Sequence, residues 1–400
     1  MMMGHIRDRE NRRLGRAFET QHATAVQAVL GLVPRSNLRK RLAQALAIVL
    51  MSIAPASAMA ADFYQGKTVS LLINFTAGGP TDVEGRLAAR HLARHVAGNP
   101  QVVVRNMAGA GGVIGANWLG EVSPTDGLTV GFFTGVASKS AIGEAALRID
   151  VASLAFIAAG PGVSVTYVRT DVAPGLKTPS DILKASGFWA AGLSPDADKD
   201  IRLRLQLDML GLRYNYISHY PGSAEARLAL ERNEVQMYVE SMPTYRSQIE
   251  PNLVAAGRAI PLWHDPMDTG TAFVPAAESA SIPAKTYTEF LREMKGGFPT
   301  GPIWDAYRLA NAVGSDFLRI VVMRPGSPPE AVAAMRKAFA GLADDPDYIA
   351  DAMRTVKYVP RYLSDEPMQR RYLEKLKPDP ALRDFLRAYV EAGRNAAAKR

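Results

Sequence analysis

Two glycine-rich turns carry the residues whose chemistry is easiest to name. The first is Asn74-Phe75-Thr76-Ala77-Gly78-Gly79-Pro80-Thr81-Asp82, and the second is Arg105-Asn106-Met107-Ala108-Gly109-Ala110-Gly111-Gly112-Val113-Ile114-Gly115. Each follows a short apolar run, Val69 to Ile73 and Val102 to Val104, and each precedes a helix-like stretch. A strand that turns on glycines into a helix leaves backbone N–H groups unpaired and pointing outward. Two such turns side by side form a cradle for a small anion that needs no basic side chain. Thr76, Ala77, Gly78, Gly79 and Thr81 are the candidate ligand-binding residues of the first turn. Asn106, Gly109, Ala110, Gly111 and Gly112 are those of the second. Asp82 reads as structural, an acid in the first helical turn.

The elements that must position these turns follow from periodicity. Lys67–Phe75 reads as a strand, Val83–Val96 as a helix, Gln101–Arg105 as a strand, Gly112–Glu121 as a helix and Leu128–Phe133 as a strand. This is βαβ patterning and predicts a parallel sheet. A second unit begins near Val163. It has strands at Val163–Arg169, Gly187–Ala191, Tyr214–Ser218 and Val235–Glu240, and helices at Pro179–Ser186, Asp198–Leu210 and Ser223–Arg232. Residues 251–316 are broken by Pro and Gly and give no clear pattern. A strand, Phe317–Met323, and a helix, Glu330–Leu342, then return the chain to clear α/β patterning, and a helical tail ends it. A late return of this kind predicts two lobes with a cleft between them, where ligands bind beyond strand ends. Thr134, Ser138, Ser194, Tyr220 and Ser241 follow strands and are candidates for that cleft.

The charge balance needs correcting for export. The chain of 400 residues holds 47 basic and 39 acidic residues, net +8. Arg39-Lys40-Arg41, the apolar run Leu42 to Ile53 and Ala58-Met59-Ala60 form a signal-peptide pattern, with cleavage expected between Ala60 and Ala61. The Arg-rich residues 1–38 lack a defensible apolar face, and a start codon further downstream is the simplest expectation. Nine of the basic and three of the acidic residues lie in 1–60, which leaves 61–400 at net +2. The case for a nucleic-acid or membrane-surface binder loses its main support. The chain has no Cys, which excludes disulfides and thiolate metal sites.

The two turns together resemble the solute-binding proteins of tripartite tricarboxylate transporters, the Bug family. The resemblance rests on Phe75-x-x-Gly78-Gly79-x-x-Asp82 and on Asn106-x-x-Gly109-Ala110-Gly111-Gly112-x-x-Gly115. It extends to Pro124-Thr125-Asp126-Gly127-Leu128-Thr129, to Tyr220-Pro221-Gly222-Ser223 and to Pro325-Gly326-Ser327-Pro328. It implies an α/β, two-lobed periplasmic binding protein of type II. Residues 1–60 would be the leader, 61–162 plus 317–400 the first lobe and 163–316 the second. It also implies a small organic-acid ligand, an integral-membrane permease as partner, a periplasmic location and a monomer without cofactor. One departure stands out. Where the family carries a Gly-x-Gly-Ser/Thr turn, this chain reads Ala191-Gly192-Leu193-Ser194-Pro195-Asp196-Ala197-Asp198-Lys199-Asp200. The added acids favour a helix dipole. If one of them faces the cleft, it disfavours a carboxylate there and favours an amine or amide.

Other chemistries find less in the sequence. Gly109 to Gly115 departs from a dinucleotide fingerprint, because its third glycine falls one position late. No Gly-x-Ser-x-Gly elbow is present, and only six His occur. His91 and His95 stand at i, i+4, a spacing open to a metal, but they read better as solvated helix surface. Arg202 and Arg204 read as surface ion-pair partners of Asp198 and Asp200. Trp118, Trp189, Trp263 and Trp304 read as core or rim residues. The expectation is therefore a non-catalytic binding protein. The alternatives are a secreted α/β enzyme acting on a small acidic substrate, and a binding protein that feeds a sensor kinase.

Overall fold

The structure, a computed structural model, describes residues 63–269 and 271–398. The expected leader, with its cleavage site at Ala60/Ala61, lies outside the described residues. Within them, β1 (Thr68–Ile73) pairs in parallel with β2 (Gln101–Asn106) on one side and β3 (Thr129–Phe133) on the other. Ile73 stands opposite both Asn106 and Phe132, so the three strands end level. The turns that follow them line one sheet edge. Helix α1 (Pro80–Leu92) leaves the first turn with Pro80 in its first turn, where a missing N–H costs nothing. Helix α2 (Val113–Glu121) leaves the second turn, and α3 (Val136–Ile142) starts just beyond β3.

The sheet is mixed rather than parallel. β4 (Ala155–Gly160), which the sequence patterning did not reveal, forms its far edge. β12 (Arg319–Met323) inserts between β3 and β4, antiparallel to both. The βαβ rhythm covers only the first three strands, and the late return of the chain supplies the antiparallel one.

The second sheet repeats the plan. It comprises β5 (Ser164–Arg169), β6 (Ser186–Ala191), β7 (Arg213–Ile217), β8 (Met237–Ser241) and β9 (Ala259–His264), in the order β7-β6-β8-β5-β9. The first sheet runs β2-β1-β3-β12-β4. Again three strands run in parallel, and a crossing strand, β5, lies antiparallel between the third and an edge strand. Two lobes of like topology result, each presenting the C-terminal ends of its parallel strands.

The stretch 251–316 proves well structured. It holds the end of a π-helical segment, Tyr245–Val254, then β9 and a hairpin of β10 (Met267–Asp268) with β11 (Phe273–Val274). Helices Tyr287–Lys295 and Pro302–Asn311 follow, the first closed by a capping box of Thr286 and Glu289. Pro251 inside the π-helical segment and the Pro/Gly breaks around it hide the periodicity.

Helix α4 (Asp198–Leu210) sits where the lobes share a core. Leu203, Leu205 and Leu207 pack in one hydrophobic cluster with Phe133 and Ile320 of the first sheet and Trp263 of the second. The polar residues alternating with these leucines are buried as well. Arg202 is 1 % exposed; it pairs with Asp265 at 3.1 Å and donates to Ser315 Oγ at 3.2 Å. Arg204 donates to the carbonyls of Pro195 and Tyr389 and lies over the rings of Tyr216 and Tyr389. The expected surface ion pairs of Arg202 and Arg204 are thus replaced by an interior ion pair for Arg202 and by carbonyl and ring contacts for Arg204, because most of α4 is buried. His91 and His95 also depart from the solvated reading. Each sits against a carboxylate, Asp351 at 2.9 Å and Asp345 at 2.8 Å. Among the described residues no cluster suits a metal ion, and no helix is long and apolar enough to cross a membrane.

Candidate ligand-binding cleft

The C-terminal strand ends of the two sheets meet around a cavity of about 410 Å³. From the first lobe it is lined by Thr76, by Gly109 to Gly112, and by Thr134, Gly135 and Lys139. From the second come Ser194, Asp198, Lys199, Tyr220 and Ser241, with Leu318 at the crossing. The volume lies in the range of small-molecule sites.

The turns hold their shape through buried side chains. Asn74, fully buried, donates from Nδ2 to the carbonyls of Gly112 (3.3 Å) and Thr134 (2.9 Å), and its Oδ1 accepts from Thr134 N–H at 3.1 Å. It ties the second glycine turn to the turn after β3. Gly112 must be glycine here: its φ is +93°, and a Cβ would lie 2.3 Å from Asn74 Nδ2. Asp82 accepts from Gly78 N–H at 2.8 Å, from Asn106 Nδ2 at 2.8 Å and from the Arg86 guanidinium. Burial would raise its carboxyl, but these donors hold it below the usual range.

Thr81 is buried with its hydroxyl 3.0 Å from that of Thr134. Thr134 also accepts from Arg319 Nη1 at 2.8 Å, and Arg319 pairs with buried Glu84 at 3.1 Å. With an Arg proton on its oxygen, Thr134 keeps its own proton for Thr81 or for a guest. Thr76, Gly109, Ala110, Gly111, Gly112, Thr134, Ser194, Tyr220 and Ser241 line the cavity. Ala77, Gly78, Gly79, Thr81, Asn106 and Ser138 are not among its lining residues. Gly78 N–H and Asn106 are spent on Asp82, and Gly112 N–H on Gly109 O.

Two lysines and an acid join the wall without a signal from the glycine turns. Lys139, 4 % exposed, pairs across the cleft with Asp196, which also accepts from Ser194 Oγ. Burial alone would raise Asp196, but Lys139 overrides it and holds the carboxyl below its ordinary value. Lys199 reaches Ser223 Oγ (3.2 Å) and Val239 O (3.3 Å) and lies 3.6 Å from buried Glu240. Asp200 turns away from the cleft. It accepts from Ser194 N–H and Tyr216 OH, both at 2.8 Å, and burial pushes it up to about 6.

No family model matches the chain. Sequence relatives are nevertheless found. One is a UPF0065 protein of the TAR-I ttuE-ttuC' intergenic region of Agrobacterium vitis, 29 % identical over 217 residues, 52 % of this chain and 61 % of the relative. Another is BugT of Bordetella pertussis, 39 % identical over 90 residues, 22 % of this chain and 27 % of the relative. The chain thus spans less than two thirds of the length of these relatives. The periplasmic binding protein BugD has the same fold, with a TM-score of 0.56 at 18 % identity over 83 % of this chain and 98 % of its own. The chain is thus similar to Bug and UPF0065 proteins over part of their length, and it shares the fold of BugD. MatC of Rhodopseudomonas palustris, solved with bound malate, shares the fold at a TM-score of 0.51, 17 % identity, and 83 % and 99 % coverage. Like BugD, the chain is a two-lobed α/β molecule.

Proposed function

We propose that this chain is an extracytoplasmic solute-binding protein of the Bug family. It captures a small organic acid between its lobes and delivers it to a tripartite tricarboxylate-type permease. The observation that carries this reading is the cavity at the C-terminal strand ends, walled by glycine-turn backbone from one lobe and by hydroxyls from the other. One ligand carboxylate sits on backbone donors of the Gly109–Gly112 turn and on Thr134. Each charge-assisted bond of this kind contributes about 1.5–3 kcal/mol. Ser194, Tyr220 and Ser241 close from the other side by hinge motion. The lobe boundaries fall at 162/163 and 316/317, in keeping with strands that stay within one sheet on either side. The chain works in the periplasm as a monomer, without cofactor or nucleic acid. Malate in the related MatC structure is an acid of the expected size.

The test is a thermal-shift panel on ligand-stripped protein, with mono-, di- and tricarboxylates, amino acids and amides, followed by scattering for closure. A ligand at 1,000 times its Kd adds about 4 kcal/mol. Stabilisation and compaction without consumption of the ligand are expected. Turnover of any panel member, or no response to any, would overturn the reading.

A further inference from the structure

Asp198 is the one wall residue at odds with a plain carboxylate ligand. It is 8 % exposed, lines the cavity, and its Oδ1 has no hydrogen-bond partner. It lies at the first position of α4, where an acid favours the helix dipole. The dipole accounts for an acid at that position but supplies no donor to this oxygen.

The nearby cations are engaged elsewhere, Lys139 with Asp196 and Arg202 with Asp265. The carboxyl faces the first lobe: a Cβ on Gly135 would lie 3.8 Å from Oδ2 and 3.9 Å from Oδ1. The Ser138 hydroxyl on that same lobe is buried beside the carboxyl, but forms no hydrogen bond of good geometry with it. Burial raises the Asp198 carboxyl, against the pull of Ser138, Arg202 and Lys139. A buried carboxylate oxygen without a well-placed donor costs free energy that a guest's N–H group restores.

We infer that Asp198 is a recognition point for an N–H donor, so that the ligand is an acid bearing an ammonium or amide group rather than a plain dicarboxylate. This rests on the solute-binding reading above and narrows its ligand class. The ligand's carboxylate lies on the glycine turn and Thr134, and its nitrogen meets Asp198 where that residue lines the cavity.

The test uses matched probes on the purified, ligand-stripped chain by calorimetry. Succinate is set against 4-aminobutyrate and succinamate, and adipate against 6-aminohexanoate, so that only the second polar group changes. At least one N–H-bearing acid should bind ten-fold or more tighter than its dicarboxylate partner. Asp198→Asn should reduce that preference at least ten-fold. Dicarboxylates binding as tightly as their partners would overturn the inference and leave the solute-binding reading in place. Binding by neither class would overturn both. The wild-type comparison needs no variant, so a misfolded Asp198→Asn cannot shelter the inference.

Discussion

Replacing Lys139 by Met should destabilise the molecule in a manner that depends on pH. Lys139 and Asp196 are 4 % and 10 % exposed at their side chains and pair across the cleft. Removing one partner of a buried pair costs about 3–5 kcal/mol, because the other charge stays behind. Asp196 keeps Ser194 Oγ and the distant guanidinium of Arg394, 3.9 Å away, which places the loss near the lower end, at about 3 kcal/mol. Unfolding entropy of about 2.1 cal/mol/K per residue gives about 0.7 kcal/mol/K for the unit 59–400. The melting temperature should therefore fall by about 4 °C at pH 7.

The sign with pH follows from Asp196. In the wild type its carboxyl is lowered, so its stabilisation is complete above the unfolded value and fades as pH falls through the folded one. Without Lys139, burial raises the carboxyl instead. The penalty then holds above that raised value and vanishes once Asp196 is protonated. The gap between Lys139→Met and wild type should be widest at neutral pH, begin to shrink as pH falls through that raised value, and go on shrinking below about pH 4 as the wild type loses its own stabilisation. Adding Asp196→Asn should recover much of the loss. Thermal denaturation of the three proteins at several pH values is the assay. A gap that is flat with pH, or a double variant no better than the single, would refute the argument.

Gly112→Ala should weaken both fold and binding. The left-handed backbone costs roughly 1–2 kcal/mol, and the methyl meets Asn74 Nδ2; chemical denaturation and calorimetry would show both. Asn74→Ala frees the second glycine turn from the Thr134 turn, and should cost about 1–3 kcal/mol of stability together with ligand affinity. Unchanged affinity would mean the turns keep their shape without it. Asp345 is held at about 2 by His95, Arg94 and two backbone N–H groups, which outweigh its burial. Asp345→Asn should lower stability at pH 6 but lose its effect as pH falls through 2, a window that acid titration of both proteins covers.

The parts of the site built from backbone were legible in the sequence, because glycine turns between strand and helix announce their geometry locally. Three parallel strands and helix Asp198–Leu210 followed from the same local rules. What escaped depends on distant partners. β4 and β9 are edge strands whose pairing is with β12 and β5. Lys139 looks like any helix lysine until Asp196 is brought opposite it. Asn74 gives no local sign of its role, because its partners lie 38 and 60 residues away. Thr286 and Glu289 carry the spacing of a capping box, which the prolines and glycines around them mask.

Helix α4 shows why the second lobe resists such reading. Its alternation of Ile201, Leu203, Leu205 and Leu207 with Arg202, Arg204 and Gln206 gives no single apolar face, so both sets must be buried or the helix would not be stable. The polar set is satisfied largely by residues far along the chain, Asp265, Trp263 and Tyr389, with the Pro195 carbonyl as a near partner of Arg204. That anchoring fixes the helix start, and with it where Asp198 and Lys199 stand in the cavity wall. The first lobe meets a guest largely with backbone and Thr134, which suits any carboxylate. Discrimination then falls to side chains borne by α4 and the turns beside it. Substitutions there should change which ligand binds, whereas substitutions in the glycine turns should change whether any ligand binds. A Gly111 or Gly112 variant that switched ligand preference at unchanged affinity would contradict this division between the lobes.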